Sequence, residues 1–293
     1  MCKMKNYFIL YNGFWNTTPP DTVRRLQAAL NRKGVAVTVL KNTDCVITVS
    51  PTVSVSPMQA GDVVLFWDKD TRLARALETM GARVYNAAAA IALCDDKAET
   101  HRVLASHGIP MPRTLLAPMT YVEVGPAVES FLCAAEKTLS YPLVVKECFG
   151  SLGEQVYLAK TPEELRKLVY GMRHRPFLLQ EFIQESAGED KRLYVVEDRV
   201  IAAIRRQNTT DFRANLAAGG KALAYTPTAD EAALAVRCCR ILGLQFGGVD
   251  LLAGGLVCEI NSNAQMAGIT ACTGVDIADA VVDAVMRSEE RMA

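Results

Sequence analysis

Two short apolar runs in the last third of the chain, Gly248-Val249-Asp250-Leu251-Leu252 and Val257-Cys258-Glu259-Ile260-Asn261, are separated by Ala253-Gly254-Gly255. Runs of this length around a glycine-rich turn predict a β-hairpin. Side chains alternate along a strand, so Glu259 and Asn261, two apart, project from one face. If two or four residues loop out at the turn, Asp250 joins that face. Three hard oxygen donors together suit Mg2+, which takes one or two carboxylates and completes its shell with water and phosphate. The same alternation also describes a hairpin whose polar face is simply wet.

With 293 residues the chain is long enough for two or three domains. Lys plus Arg and Asp plus Glu are both 32, so no global field favours nucleic acid or an anionic membrane. The nine cysteines are scattered without a zinc-type spacing, which leads us to expect a reduced, cytoplasmic protein. The apolar stretch from Ala87 to Cys94 is too short to span a bilayer, and Met1-Cys2-Lys3-Met4-Lys5 lacks the apolar core of a secretory signal.

The first 95 residues alternate strand and helix. Strands are expected at Tyr7 to Asn12, Val35 to Leu40 and Val63 to Trp67. Thr18 to Asp21 reads as a capping box opening a helix to Lys33, and Thr71 to Met80 as a helix stopped by Gly81. This alternation argues for an open, mostly parallel α/β sheet. Asn12-Gly13-Phe14-Trp15 is too poor in glycine for a dinucleotide fingerprint, which argues against a Rossmann dehydrogenase. Lys97 to His107 reads as a helix, and Pro110 and Pro112 beyond it mark a boundary.

Further on, the pattern becomes α+β. Lys146 interrupts the apolar strand Leu143 to Glu147, where it needs a partner unless the strand is an edge. The Gly150-Ser151-Leu152-Gly153 loop after it can close over phosphate with its N–H groups. A strand is expected from Phe177 to Ile183, then Asp190 and Arg192 at the head of a strand to Val196, a turn at Glu197-Asp198, and a strand from Val200 to Arg206. Gln207 to Lys221 has no periodicity; Arg213 and Asn215 suit an anion-handling loop, with a solvated surface loop as the alternative. Helices follow from Thr228 to Leu242 and from Asp276 to Met292. His101, His107 and His174 read as structural or solvent-facing.

Six strings from about Asn86 onward resemble, in order, the ATP-grasp carboxylate-amine ligases: Asp96-Lys97, His107 to Thr114, Pro142 to Lys146, Gln180 to Ile183, Asp211 to Leu216 with Gly219-Gly220, and Gly248-Val249-Asp250 before Glu259-Ile260-Asn261. The RimK type, which adds glutamate to a protein C-terminus, and its relatives in lysine biosynthesis look most similar.

The resemblance implies an ATP-grasp fold behind an N-terminal parallel α/β domain, with segments 1–95, 96–182 and 183–293, the last two forming α+β lobes around ATP. It implies that Lys97 and Lys146 hold phosphates, that Gln180, Glu181, Phe182 and Ile183 meet the adenine, and that Asp190 accepts the ribose hydroxyls. Arg213 and Asn215 would face the transferring phosphoryl group, joined by Arg205 or Arg206, of which Arg206 is taken. Asp250, Glu259 and Asn261 would bind Mg2+, with Mn2+ an acceptable substitute.

The implied activity is amide formation between a small-molecule or peptide carboxylate and an amine, through an acyl phosphate, with release of ADP and phosphate. No nucleic acid or membrane is expected as partner, and a homo-oligomer is left open. The alternative is a nucleotide-binding module without turnover, acting through a protein partner. The chain departs from the family pattern at Ser262-Asn263-Ala264-Gln265, where a proline and glycine are usual, and at Gln155, where a glycine is often seen. Gln265 is therefore expected to contact substrate, or else to turn to solvent.

Overall fold

The computed structural model describes residues 5–215 and 219–292. Leu216, the end of one family string, and residues 1–4, read above for a secretory signal, lie outside them.

A parallel sheet forms first, from β1 (Tyr7–Tyr11), β2 (Val37–Lys41), β5 (Val63–Trp67) and β6 (Arg83–Tyr85), in the order β2-β1-β5-β6. A separate hairpin, β3 (Val46–Val49) and β4 (Val53–Ser56), interrupts it. Helix α1 (Asp21–Arg32) buries Val23, Leu26 and Leu30 as one stripe at helical spacing. The expected box from Thr18 does not form. Pro20 bars Pro19 from helical geometry and is itself extended at φ −65° and ψ 164°, so the helix begins only at Asp21. Helix α2 (Thr71–Met80) has the expected limits and ends in left-handed Gly81, φ 96°. Helix α3 (Ala88–Asp95) was legible only as an apolar run, because it is buried on two sides and so carries no amphipathic stripe.

The second sheet is antiparallel, with β7 (Thr114–Leu116), β8 (Leu143–Glu147), β9 (Val156–Ala159) and β10 (Phe177–Glu181) in the order β7-β10-β8-β9. Helix α4 (Lys97–Ser106) precedes it. Helices α5 (Glu129–Thr138) and α6 (Pro162–Gly171) cover one face through Leu143, Val145, Phe177 and Leu179. β8 is interior, which removes the edge-strand reading of Lys146. β10 stops at Glu181, short of the expected Ile183. Continued one step, its registers would set Phe182 against Pro142 on one side and Pro112 on the other, and neither proline has an N–H for the ladder. The backbone of Phe182 and Ile183 is thereby left beyond the sheet.

The third sheet, also antiparallel, runs β13 (Lys221–Ala224), β12 (Arg199–Gln207), β11 (Glu189–Val196), β14 (Phe246–Leu252), β15 (Leu256–Asn261). Helix α7 (Ala229–Ile241), opened by the Thr228–Glu231 capping box, covers the face bearing Leu193, Val195, Val249 and Leu251. Helices α8 (Ala267–Thr273) and α9 (Ile277–Arg291) cover the other, and α9 also packs on α1. One core therefore joins the first and third sheets; within it Trp67 stacks on Phe246 at 5.7 Å. Buried Asn86 ties the same junction, donating to the Phe246 and Ser262 carbonyls at 2.9 and 3.1 Å and accepting the Gln245 N–H at 2.9 Å.

Candidate nucleotide and metal site

The turn between β14 and β15 is three residues, Ala253–Gly255, neither of the lengths that would align the acids. Leu251 faces Val257 across it, a register that would set Asp250 beside Cys258 and turn Glu259 to the opposite face. A β-bulge corrects the phase. Cys258 is the extra residue, so Asp250 faces Glu259, and Gly248 faces Asn261.

Registers across the other strands add a checkerboard of charge. Asp190 faces Arg206 and Arg192 faces Asp250. Arg206 donates to Asp190 from Nε at 2.6 Å and Nη2 at 2.5 Å, and Arg192 donates to Asp250 from the same two atoms at 2.7 and 2.6 Å. Burial pushes the Asp250 carboxyl up, but the charges of Arg192 and Arg206 outweigh it and hold it at about 2. Alternation along β12 decides between the two arginines considered above: Arg206 is buried in the cleft, whereas Arg205 turns outward to Glu189.

Two lysines arrive from the second sheet's side. Lys97 opens α4, whose cap Asp96 accepts the Ala98 and Glu99 N–H groups. Its Nζ lies 3.6 Å from Glu259 Oε1 and donates to the Gly150 carbonyl at 3.4 Å. Lys146 is 6% exposed and its Nζ donates to Cys258 Sγ at 3.6 Å. Burial raises the Cys258 pKa, so this acceptor is a neutral thiol and a weak one. Such a lysine holds most of its charge for a ligand.

Gln180 donates its amide hydrogens to Thr114 Oγ1 at 2.8 Å and His101 Nε2 at 3.0 Å. His101 Nε2 is thus an acceptor, so the ring proton sits on Nδ1 and is donated to the Lys97 carbonyl at 2.7 Å. Burial holds the imidazole neutral, with its pKa lowered to about 4. His101 is structural, as expected, and its structural task is to fix Lys97. Glu181 accepts the Arg113 N–H at 3.2 Å, while Phe182 packs edge-on against Phe212.

The glycine loop and the Arg213 loop close the remaining wall. Gln155 Oε1 accepts the Ser151 N–H at 3.1 Å, and a Cβ on Gly150 would come within 2.3 Å of that oxygen. Arg213 donates to the Gly153 carbonyl at 2.6 Å and to both oxygens of Asp211 at 3.0 and 2.7 Å. Asn215 packs so close to Gly153 that a Cβ there would meet its Oδ1 at 2.9 Å.

These groups border a cleft with about 830 Å³ of empty space, continuous with a wider one of about 2020 Å³ that reaches the first sheet. Lys97, Ser151, Arg206, Asn215 and Glu259 border both. Asp250 lies on the narrow side, and Asn261 and Gln265 on the wide side. Lys97, Lys146, Arg206 and Arg213 line the narrow cleft, donors suited to the oxygens of a polyphosphate, alongside the carboxylates Glu181, Glu189, Asp190, Asp250 and Glu259.

Among the described residues no three His, Cys, Asp or Glu side chains gather as a metal cluster. The donor set is instead two carboxylates and an amide, which fits a Mg2+ that shares phosphate oxygens. Asp250 has about four lone-pair positions, three of them used by the arginines, so one remains. Along the sequence Arg192 stands only as a neighbour of Asp190, and Cys258 does not stand out as a site residue. A charge at the head of an apolar strand was a usable signal for the first. Nothing short of the bulge reveals the second.

Residues 94–285 match the RimK-like ATP-grasp domain family. A protein named probable alpha-L-glutamate ligase from Stenotrophomonas maltophilia (strain R551-3) is 35% identical over 281 residues, 90% of this chain and 94% of that protein. Among solved structures, the RimK domain ATP-grasp protein of Sphaerobacter thermophilus DSM 20745 superposes with a TM-score of 0.75 at 22% identity, covering 96% of this chain and 99% of that one. The ATP-grasp ligase PsnB, complexed with a phosphomimetic variant of minimal precursor, Mg and ADP, gives 0.69 at 19% identity, covering 98% and 99%. The fold is that of the ATP-grasp proteins, and the family match and the glutamate-ligase relative make the protein a ligase that forms carbon–nitrogen bonds. The chain belongs to the RimK-like ATP-grasp family.

Proposed function

We propose that the protein joins a carboxylate to an amine, on an amino acid or peptide, through an acyl phosphate and with release of ADP and phosphate. The observation that carries this reading is the gathering of Lys97, Lys146, Arg206 and Arg213 with Asp190, Asp250 and Glu259 on a cleft that opens, past Glu259, into a second cleft large enough for the joining partners. A carboxylate is a poor electrophile until a carboxylate oxygen takes the γ-phosphoryl group. The amine then attacks the acyl carbon, the carbon–nitrogen bond forms, and phosphate leaves with the bonding pair of the carbon–oxygen bond. No protein nucleophile is needed, so positioning and charge supply the catalysis.

In this reading the first 95 residues wall the wider cleft, and the segments 96–182 and 183–293 hold the nucleotide between them. The backbone of Phe182 and Ile183, outside the ladder, meets the adenine beside Gln180 and Glu181, and Asp190 takes the ribose. Lys97 and Lys146 exchange Gly150 and Cys258 for phosphate oxygens. Arg206, Arg213 and Asn215 face the transferring group, where a planar guanidinium matches phosphate oxygens better than an ammonium. Mg2+, or Mn2+ in its place, held by Asp250, Glu259 and Asn261, would neutralise charge between the phosphates. The Mg and ADP in the PsnB complex support that choice.

Phosphorus NMR of the products, with amino acids and peptides screened as substrates, tests the reading. ADP and phosphate are expected. Pyrophosphate would overturn the acyl-phosphate route in favour of adenylation.

A further inference from the structure

Asp68 follows β5 directly and Asn12 follows β1. The chain leaves β1 for β2 on one side and later returns to β5 on the other, so the order of the first sheet reverses between these strands. In open parallel sheets the crevice beyond the carboxyl ends at such a switch point is where ligands bind. Both residues line the wider cleft there.

Asp68 is 5% exposed. Its Oδ1 accepts from Asn12 Nδ2 at 3.0 Å and from the Lys69 N–H at 2.6 Å, but its Oδ2 is buried and makes no hydrogen bond within the described residues. Burial, with the charge of Asp70, raises the Asp68 pKa despite the hydrogen bonds from Asn12 and the Lys69 and Asp70 amides. Lys69 Nζ does not serve as counterion, being held by Asp95 at 2.5 Å and the Gly150 carbonyl at 3.3 Å. From the third sheet's side Asn263 donates Nδ2 to the Asp68 backbone carbonyl at 2.7 Å, and its Oδ1 is likewise buried without a hydrogen bond.

Two oxygen acceptors without a hydrogen bond, one of them on a carboxyl group, thus belong to residues that touch each other and border the wider cleft. An unmet buried acceptor is costly, so each calls for a donor. The complementary group is a compact cation with several N–H bonds, which describes a primary ammonium.

We propose that Asp68 and Asn263 bind the primary ammonium group of the amino-acid or peptide substrate. The assignment rests on the ligase reading for its substrate class. The two residues join the first sheet to the tail of the metal motif, and ammonium binding between them fixes the substrate relative to Glu259 and Asn261.

Thermal stabilisation of the full chain by free amino acids and short peptides, compared with their N-acetyl counterparts, tests this, each alone and with MgAMPPNP. Free-amino ligands are expected to stabilise the wild type and N-acetyl ligands not. Asp68→Asn should need about tenfold or more ligand for the same shift, the scale of one charge-assisted hydrogen bond. Asn263→Ala should weaken the same response, and it carries the comparison if Asp68→Asn does not fold. Stabilisation by MgAMPPNP reports separately on the nucleotide site: its loss in the wild type counts against the ligase reading, and the ligand-alone arm still decides the ammonium site. Equal response to N-acetyl ligands, wild-type behaviour in both variants, or no stabilisation of the wild type by any free-amino ligand overturns the assignment.

Discussion

Arg206 reaches across an intervening strand to Asp250: its Nη2 lies 2.9 Å from Oδ2, although β11 separates the two in the sheet. The same guanidinium holds Asp190, so one cation bridges two acids, one proposed for the ribose and the other, which Arg192 also pairs, for Mg2+. Removing one partner of a buried ion pair leaves the other uncompensated, which costs about 3–5 kcal/mol. Arg206→Met should therefore lower stability on that scale in urea titration. Arg205→Met, on the exposed face of the same strand, should change it by less than about 1 kcal/mol. Equal losses would show that the pairing contributes nothing.

Glu259 and Lys146 should separate in kinetics. Glu259→Gln removes a carboxylate from a two-acid metal set and is expected to cut turnover about a hundredfold or more with the fold intact. Lys146→Ala removes a phosphate-facing charge and should chiefly raise KM for ATP. Circular dichroism checks the fold, and ATP titrations of phosphate release check the split. A folded Glu259→Gln variant with near-normal turnover would refute the metal assignment.

Acid should destabilise the protein in two stages. His101, with its pKa lowered from 6.5 to about 4 in the fold, takes up its proton in the unfolded chain first, so stability falls as pH drops from 6.5 towards 4. The shift corresponds to a loss on the order of 3 kcal/mol. Asp250, lowered from 3.8 to about 2, adds a second loss as pH falls through that lower window. Urea midpoints at pH 7 and pH 4.5 should differ clearly in the wild type and much less in His101→Gln, which has no titrating ring. An undiminished pH effect in that variant would assign the first stage to another group.

Gln265 is exposed on the wall of the wider cleft, within the stretch where the family pattern has proline and glycine. Its amide should contact the substrate. Gln265→Gly is expected to change substrate preference while leaving the ATP affinity as it was. Indifference to every substrate tested removes Gln265 from the site.

Much of this protein was legible along the chain because the signals are local. Prolines and glycines place helix ends such as Gly81, β-branched runs mark β2 and β5, and a charge inside an apolar strand marks Lys146. The motif strings give the family and the inventory of the site by the same local logic. Spacing alone placed Glu259 and Asn261 on one face.

What depended on the assembled sheets was the phase and pairing of those groups. A three-residue turn would have separated Asp250 from Glu259, and only a bulge at Cys258 reunites them, because one extra residue flips the side chains that follow it. Whether Arg205 or Arg206 enters the cleft was set by β12 register, and the early end of β10 by two prolines that precede its two neighbouring strands. Asp68 carried no signal at all in the sequence. Its unpaired oxygen exists only because the first sheet's switch point meets the tail of the third sheet, a contact between residues nearly two hundred positions apart that no local pattern encodes.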